Sequence, residues 1–459
     1  MELFYDKKTG WDKLDTQSCM DYAEGYKSFL DAGKTERDAV SYLTEKAEAK
    51  GYKAWTRGMP VQSGDKLYQI NRDKSLILTH IGKAPLSEGF HLTAAHLDAP
   101  RIDIRTVPLY EKDGMAYFKT HYYGGIKKYQ WLAIPLELRG VVCVCQNGTI
   151  TRVPVHIGNK PNDPKFVITD LLPHLASEQM TKKATEVIKA ENMNVLLGSI
   201  PSTHAEKDDK DKVKRAVLEY LHANYENMTE ADFLSAELSC VPAFNACDIG
   251  FDRSFVGAYG HDDRVCSYPA ATALFDLTET PEHTAMCLLV DKEEIGSDGV
   301  TGMQSHHFDT FVSDLCRAQG VLPEECMEHA ICLSADVCNA FDPNFPEVSE
   351  GRNDARIGCG LAIIKYTGAR GKSGTSDASA ELMARVRCIL DGAGITWQTG
   401  QLGRVDQGGG GTVAMYLANR NIDTVDAGVP VLSMHSPFET ISKHDLYMTY
   451  LGFGAFYQA

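Results

Sequence analysis

Five stretches of the chain place histidine or carboxylates just past an apolar run, or where a loop enters a helix. In open α/β sheets, ligands gather beyond the carboxyl ends of the strands, so the five are considered together. The first, His91-Leu92-Thr93-Ala94-Ala95-His96-Leu97-Asp98, runs a strand pattern into His96. Side chains alternate along a strand, which puts His96 and Asp98 on the same side. A ligating imidazole usually donates its other N–H to a carboxylate, and Asp98 would supply one. The second, Gly260-His261-Asp262-Asp263-Arg264, opens a helical pattern with two acids. Either acid could bridge two cations or simply cap the helix. The third, Asp291-Lys292-Glu293-Glu294-Ile295-Gly296-Ser297, follows the apolar run 285–290. Adjacent residues at a strand end diverge, so one glutamate can bind a metal while its neighbour serves a water as general base. Leu333-Ser334-Ala335-Asp336 again runs a strand into an acid, and His435 follows an apolar stretch in Leu432-Ser433-Met434-His435-Ser436.

Each stretch alone is more often structural. Pooled, His96, one aspartate of the 262–263 pair, Glu294, Asp336 and His435 make two imidazoles and three carboxylates. That nitrogen and oxygen set suits Zn²⁺, and Mn²⁺ or Co²⁺ would also fit. Two such ions about 3.5–4 Å apart polarise a carbonyl and bring the pKa of a shared water toward ~7.

The elements that must position these residues follow from periodicity. Tyr22, Tyr26, Phe29 and Leu30 recur at helical spacing within a helical stretch over 16–50, interrupted near Thr35 and ended by Gly51. Strands are expected at 67–70, 75–80 and 89–95. From about 104 to 160 the chain turns β-rich, with Asn147-Gly148 as a hairpin signal. A charged, helical stretch around 206–212 reads as a solvated face or loop. After about 241, strands at 284–290, 329–334, 395–400 and 422–426 alternate with helices at 264–277, 305–318, 376–392 and 410–419. Such alternation predicts an α/β fold, a mixed and largely parallel sheet sandwiched by helices. The β-rich middle reads as an insertion into it. The expected division is 1–103 with 241–459 around an inserted 104–240.

Composition narrows the partners. The 459 residues are 43% hydrophobic and 24% charged, which is ordinary for a folded globular chain. Sixty-two acids against 46 bases give −16, which argues against nucleic acid and anionic membranes as partners. The opening residues from Met1 show no basic-then-apolar leader, and no apolar run approaches the ~20 residues that span a bilayer. Thirteen scattered cysteines without a Cys-x-x-Cys pair suggest reduced thiols. Cys143 and Cys145 alternate with valines, as buried strand residues would. A cytoplasmic location is the expectation. Two other motifs fail. Gly371-Lys372-Ser373 lacks the upstream glycine of a phosphate loop, where Tyr366 stands. The run 408–411 is not set in the strand–helix unit of a dinucleotide fingerprint. No Gly-x-Ser-x-Gly supports a serine nucleophile.

Taken in order, HLTAAHLDAPR at 91–101, YGHDDRVCSYPA at 259–270, DKEEIGSDG at 291–299, SADVCNAFDPNFPE at 334–347 and the tail 407–439 resemble the M18 family of metallo-aminopeptidases, the aspartyl aminopeptidase family, in its bacterial branch. The resemblance implies a zinc-peptidase-like domain with two metal ions. It implies His96, Asp262, Glu294, Asp336 and His435 as ligands, with Asp262 bridging. It implies Glu293 as general base and Asp98 as the residue orienting the site from behind. It further implies a dimerisation role for the insertion, a dodecamer built from dimers, and a peptide substrate with a free N-terminus. Selectivity for acidic first residues would need basic groups at the substrate, for which Lys365 and His156 are the candidates. A dinuclear carboxypeptidase or deacylase and a non-catalytic assembly scaffold are the alternatives. N-acylated substrates would mark the former, and failure to hold metal the latter.

Overall fold

The computed structural model describes residues 5–13, 15–206 and 208–459. The first four residues, on which the expectation about a leader rests, and Lys207 of the charged run lie outside the described residues. The chain forms two compact units. The first holds the described residues up to Ala99, Asn245–Met434 and Phe438–Ala459, and the second Pro100–Phe244 and His435–Pro437.

The first unit is built on a nine-stranded sheet. Its order is Lys53–Ala54, Lys66–Asn71, Ser75–His80, Thr284–Val290, Phe90–His96, Ile331–Ser334, Asp423–Gly428, Leu361–Ile364, Trp397–Thr399. The four strands from Thr284–Val290 to Asp423–Gly428 are mutually parallel, and antiparallel pairs flank them. Alternation decides which side chain meets which layer. Ala285, Cys287 and Leu289 face a core shared with Thr16–Ala32, Glu36–Ala49, His261–Phe275, Ala380–Gly392 and Lys443–Gln458. Met286, Leu288 and Val290 face the opposite core, against His307–Gln319, Pro323–Glu328 and Ala414–Ala418. With both faces covered, the central strands read as continuous apolar runs. The sheet is therefore mixed, largely parallel and sandwiched by helices. A five-stranded sheet in the same unit joins Phe255–Ala258 to Glu439–Ser442, with Ala258 opposite Glu439.

The second unit is β-rich, a seven-stranded sheet in the order Thr149–Ile157, Leu136–Gln146, Ala236–Pro242, Arg101–Lys112, Met115–Tyr123, Val195–Gly198, Val167–Ile168. Asn147 and Gly148 both have positive φ, 52° and 78°, the backbone a two-residue hairpin turn needs. Two expectations need revision. Val142 and Val144 take the buried face, so Cys143 is half-buried and Cys145 exposed. Arg101–Lys112 is one unbroken strand, so the chain leaves the first unit before residue 103. The charged run, read as a solvated face or loop, is largely exposed ahead of the helix Lys212–Asn224. Among the described residues, no disulfide forms and no helix is long and apolar enough to cross a membrane.

Two buried histidines give the first unit a defined pH response. Burial and the Lys66 ammonium draw the His80 imidazole down to about 4. Burial likewise draws His91 down to about 4, against the opposing hydrogen bond with the Phe456 carbonyl. The unfolded chain binds these protons near pH 6.5 and the native chain does not until about 4. Their stability is therefore complete above 6.5 and declines as pH falls toward 4, by on the order of 1 kcal/mol per histidine per pH unit. The difference in urea midpoint between the metal-free wild type and His91→Gln should be larger at pH 7 than at pH 5, since the raised carboxyls of the same unit act in both proteins alike. A pH profile parallel to wild type would clear His91 of the role.

Candidate metal centre

Three parallel strands bring the first candidate ligands to one level. Phe90–His96 ends on His96, and Ile331–Ser334 pairs Ser334 with Ala94, so Asp336 emerges beside His96. Asp262 arrives from the five-stranded sheet. Gly260 turns the chain with φ 79°, and Asp262 keeps a non-helical ψ of 107° ahead of the regular helix. Its N–H donates to Glu439 Oε2 at 3.1 Å, from the strand paired with Phe255–Ala258. Glu293 and Glu294 sit on the short turn Glu293–Ile295 just beyond Thr284–Val290, after Lys292 at φ 71°.

His96, Asp262 and Asp336 are all buried, and each offers a ligand atom within 4.8 Å of the others'. A carboxylate oxygen of Glu294 falls within the same distance of one on Asp262. His96 Nε2 lies 3.1 Å from Asp262 Oδ1 and 3.9 Å from Glu293 Oε2. Burial pulls the His96 imidazole down, but hydrogen bonds to Asp262 and Asp98 and the surrounding carboxylates outweigh it and raise the ring well above its ordinary range. Burial, then the neighbouring Asp263, raises the Asp336 carboxyl, with Glu293 and Asp262 adding to it and His96 opposing. Buried carboxylates crowded this closely disfavour one another's charge. A divalent cation reverses that, and imidazole nitrogen with carboxylate oxygen is a donor set for zinc. The residues present fit such an ion.

The surroundings hold these donors in place. His96 Nδ1 lies 3.0 Å from the Asp98 main-chain oxygen and 3.4 Å from Asp98 Oδ1. A proton on Nδ1 would leave Nε2 as the nitrogen open to a metal. The strand ends at His96, so Asp98 stands beyond it, and its carboxylate accepts from the Glu293 N–H at 3.1 Å and the Glu294 N–H at 3.2 Å. The fully buried Asp263 accepts from the His96 N–H at 3.3 Å. Reading by spacing missed Asp263 and Glu439 as supports. It also missed Gly428, where an added Cβ would lie 1.8 Å from the Asp336 carbonyl oxygen. Glu439 lies in the tail motif, whereas nothing in the sequence marks Gly428.

The other expected residues are placed as follows. His435 belongs to the second unit, at φ 63°, with Nδ1 donating to the Gly125 carbonyl at 2.7 Å. His156 lies in the second unit's edge strand, exposed and opposite Arg139. Lys365 follows Leu361–Ile364 and its ammonium pairs with Asp377, which also takes Lys372 at 2.7 Å. None of the described contacts of Lys365 reaches the His96 group.

The profile of a family described as aminopeptidase I zinc metalloprotease (M18) matches residues 29–457. A probable M18 family aminopeptidase 1 of Clostridium acetobutylicum is 46% identical over 99% of both chains. The chain belongs to the M18 family. It is a metallo-aminopeptidase, a hydrolase. Among solved M18 structures, the aminopeptidase of Thermotoga maritima superposes with TM-score 0.94 at 40% identity, covering 99% of this chain and 100% of that one. Aminopeptidase I of Clostridium acetobutylicum gives 0.91 at 42% identity, with full coverage of both. The M18 fold extends to a dodecameric S. cerevisiae mApe1, with TM-score 0.77 at 23% identity over 95% and 96% of the two chains.

The Gly428 contact gives a test that touches no ligand. Gly428→Ala must push back the backbone that carries Asp336, an overpacking change of about 1–3 kcal/mol. Zinc titration should show weaker binding than wild type, and denaturation a lower midpoint. Unchanged zinc affinity would remove Gly428 from the list of supports.

Proposed function

We propose that the protein removes the N-terminal residue of peptides, with two divalent ions, zinc by preference, held by His96, Asp262, Glu294, Asp336 and His435. The buried convergence of His96, Asp262 and Asp336, with a Glu293 oxygen 3.9 Å from His96 Nε2, is the observation that carries the reading. His435 joins as the remaining ligand. Its Nδ1 bond to Gly125 leaves Nε2 as the ligating nitrogen, the same arrangement as at His96. Asp262, which offers ligand atoms to both candidate groups, would be the carboxylate shared by the two ions.

When bound, the ions polarise the scissile carbonyl and make a water a nucleophile near neutral pH. Glu293 takes the proton of the attacking water and passes it to the leaving amine. Asp98 keeps Glu293 and Glu294 on their separate tasks by gripping both backbone amides. A carboxylate of the cluster receives the substrate's free α-ammonium, which restricts cleavage to the chain end. We assign the inserted unit to dimerisation, within a cytoplasmic homo-oligomer that reaches a dodecamer, and we assign acidic first residues as the preferred substrates. Lys365 and His156 are the cations offered for that preference.

Glu293→Gln should retain both metals and lose on the order of 10²–10⁴ in kcat. Undiminished kcat would take the base role away from Glu293. His435→Ala should release one equivalent of zinc by elemental analysis, and retention of both equivalents would exclude His435 as a ligand. A panel of aminoacyl reporter substrates, run with Zn²⁺, Mn²⁺ and Co²⁺, should rank Asp and Glu first. Turnover of N-acylated amino acids in their place would point to a deacylase.

A further inference from the structure

The turn that carries Glu293 is gripped on two sides. Asp98 holds its amides from one side. On the other, the Gly296 carbonyl accepts from Gln304 Nε2 at 2.9 Å and from the Tyr416 hydroxyl at 3.3 Å. Gln304 Nε2 is also 3.4 Å from that hydroxyl, so the three groups form a small triangle. A carbonyl oxygen has two lone pairs and can take both donors. The Gly296 N–H closes the turn onto the Glu293 carbonyl at 2.9 Å, so movement of Gly296 is passed directly to the Glu293 backbone.

Both donors are anchored elsewhere. The Gln304 N–H donates to the Ser297 carbonyl at 3.1 Å, which fixes the start of its side chain against the same loop. Tyr416 stands on Ala414–Ala418, and Arg420 just beyond that helix donates to the Met303 and Ser305 carbonyls, both at 3.2 Å, and to Asp309. The helix and the 296–305 loop are thereby tied at two points. Burial, with the charges of Asp298 and Glu293 adding to it, raises the Tyr416 phenol above its ordinary range. The hydroxyl keeps its proton at neutral pH and serves as a donor. Nothing in the ligand set or in the base step requires Tyr416 or Gln304.

We propose that Tyr416 and Gln304 are positioning residues for Glu293, fixing the Gly296 carbonyl and, through it, the angle at which the glutamate meets the attacking water. The inference rests on Glu293 being the general base. Misplacement of a reacting group by about 1 Å can cost roughly 10²-fold in rate, and this tether is where such a shift is prevented. The effect falls on the chemical step, because neither residue is among the proposed metal ligands.

The test uses the zinc-loaded full chain. Tyr416→Phe, which removes one hydroxyl, should lower kcat roughly 3- to 10-fold, and Tyr416→Phe with Gln304→Glu roughly 100-fold, with KM and bound zinc unchanged. Gln304→Lys, which keeps a donor in reach of Gly296, should restore most of the kcat that Gln304→Glu loses. In a Glu293→Gln background the same substitutions should cause no further loss, since groups acting through one residue are not additive. An undiminished kcat in the double variant, a loss that persists in full without Glu293, or a loss carried by KM or zinc content would each overturn the positioning role. If Glu293→Gln itself leaves kcat intact, the base reading fails, and that result is distinct from the other three.

Discussion

The structure turns on a cluster of acids brought together away from water. Asp262, Asp263 and Asp336 are nearly or fully buried, and His96 is the imidazole among them. Burying one unpaired carboxylate is already costly, and burying several side by side costs more, because each disfavours ionisation of the next. A fold does not keep such a cluster for stability. It becomes favourable when a divalent cation enters, and the same binding energy then adds to the stability of the folded chain. The rest of the first unit can be understood as the frame that this constraint demands. Two helical layers cover both faces of the sheet and leave its carboxyl-end loops to carry the charge.

Holding like charges together requires rigid backbone. The central strands lie in register so that His96 and Asp336 emerge side by side. Gly428 has no side chain, and the Asp336 carbonyl occupies the space where one would sit. Glu439 and Asp263 accept backbone N–H groups of Asp262 and His96, so acids outside the first ring of donors orient the chain segments that carry the candidate ligands. Supports of this kind determine whether a metal site has the right geometry or merely the right residues.

Much of this was legible in the sequence because strand and helix periods report burial directly. The parallel core, the helices over 16–50, the Asn147-Gly148 hairpin and the acids past strand ends could all be read that way. Spacing loses its meaning where the strand stops. His96 and Asp98 were assigned to one side by strand alternation; the strand ends at His96, and although Asp98 Oδ1 lies 3.4 Å from His96 Nδ1, the same carboxylate also takes the Glu293 and Glu294 amides, which alternation does not foretell. Cys143 and Cys145 show a related limit. Alternation identifies two faces, but when valine and cysteine compete, the pattern alone does not say which face is covered. Gly428 and Tyr416 were invisible for a third reason, since their partners lie 92 and 120 residues away and no local pattern encodes that.

Adjacent glutamates proposed for different duties need an explanation beyond their order in the chain. In a turn with about three residues per revolution, neighbours point roughly 120° apart. Glu294 therefore reaches toward Asp262 while Glu293 turns toward His96 Nε2. The separation lasts only if the turn itself cannot rotate. Asp98 prevents rotation by holding both amides, and the left-handed backbone at Lys292 and Gly296 shapes the entry and exit. A longer or looser connection after Thr284–Val290 would let the two carboxylates exchange places. Then neither would be reliably placed for the role proposed for it, and the short, doubly anchored turn is what suits the Glu-Glu pair to two proposed duties.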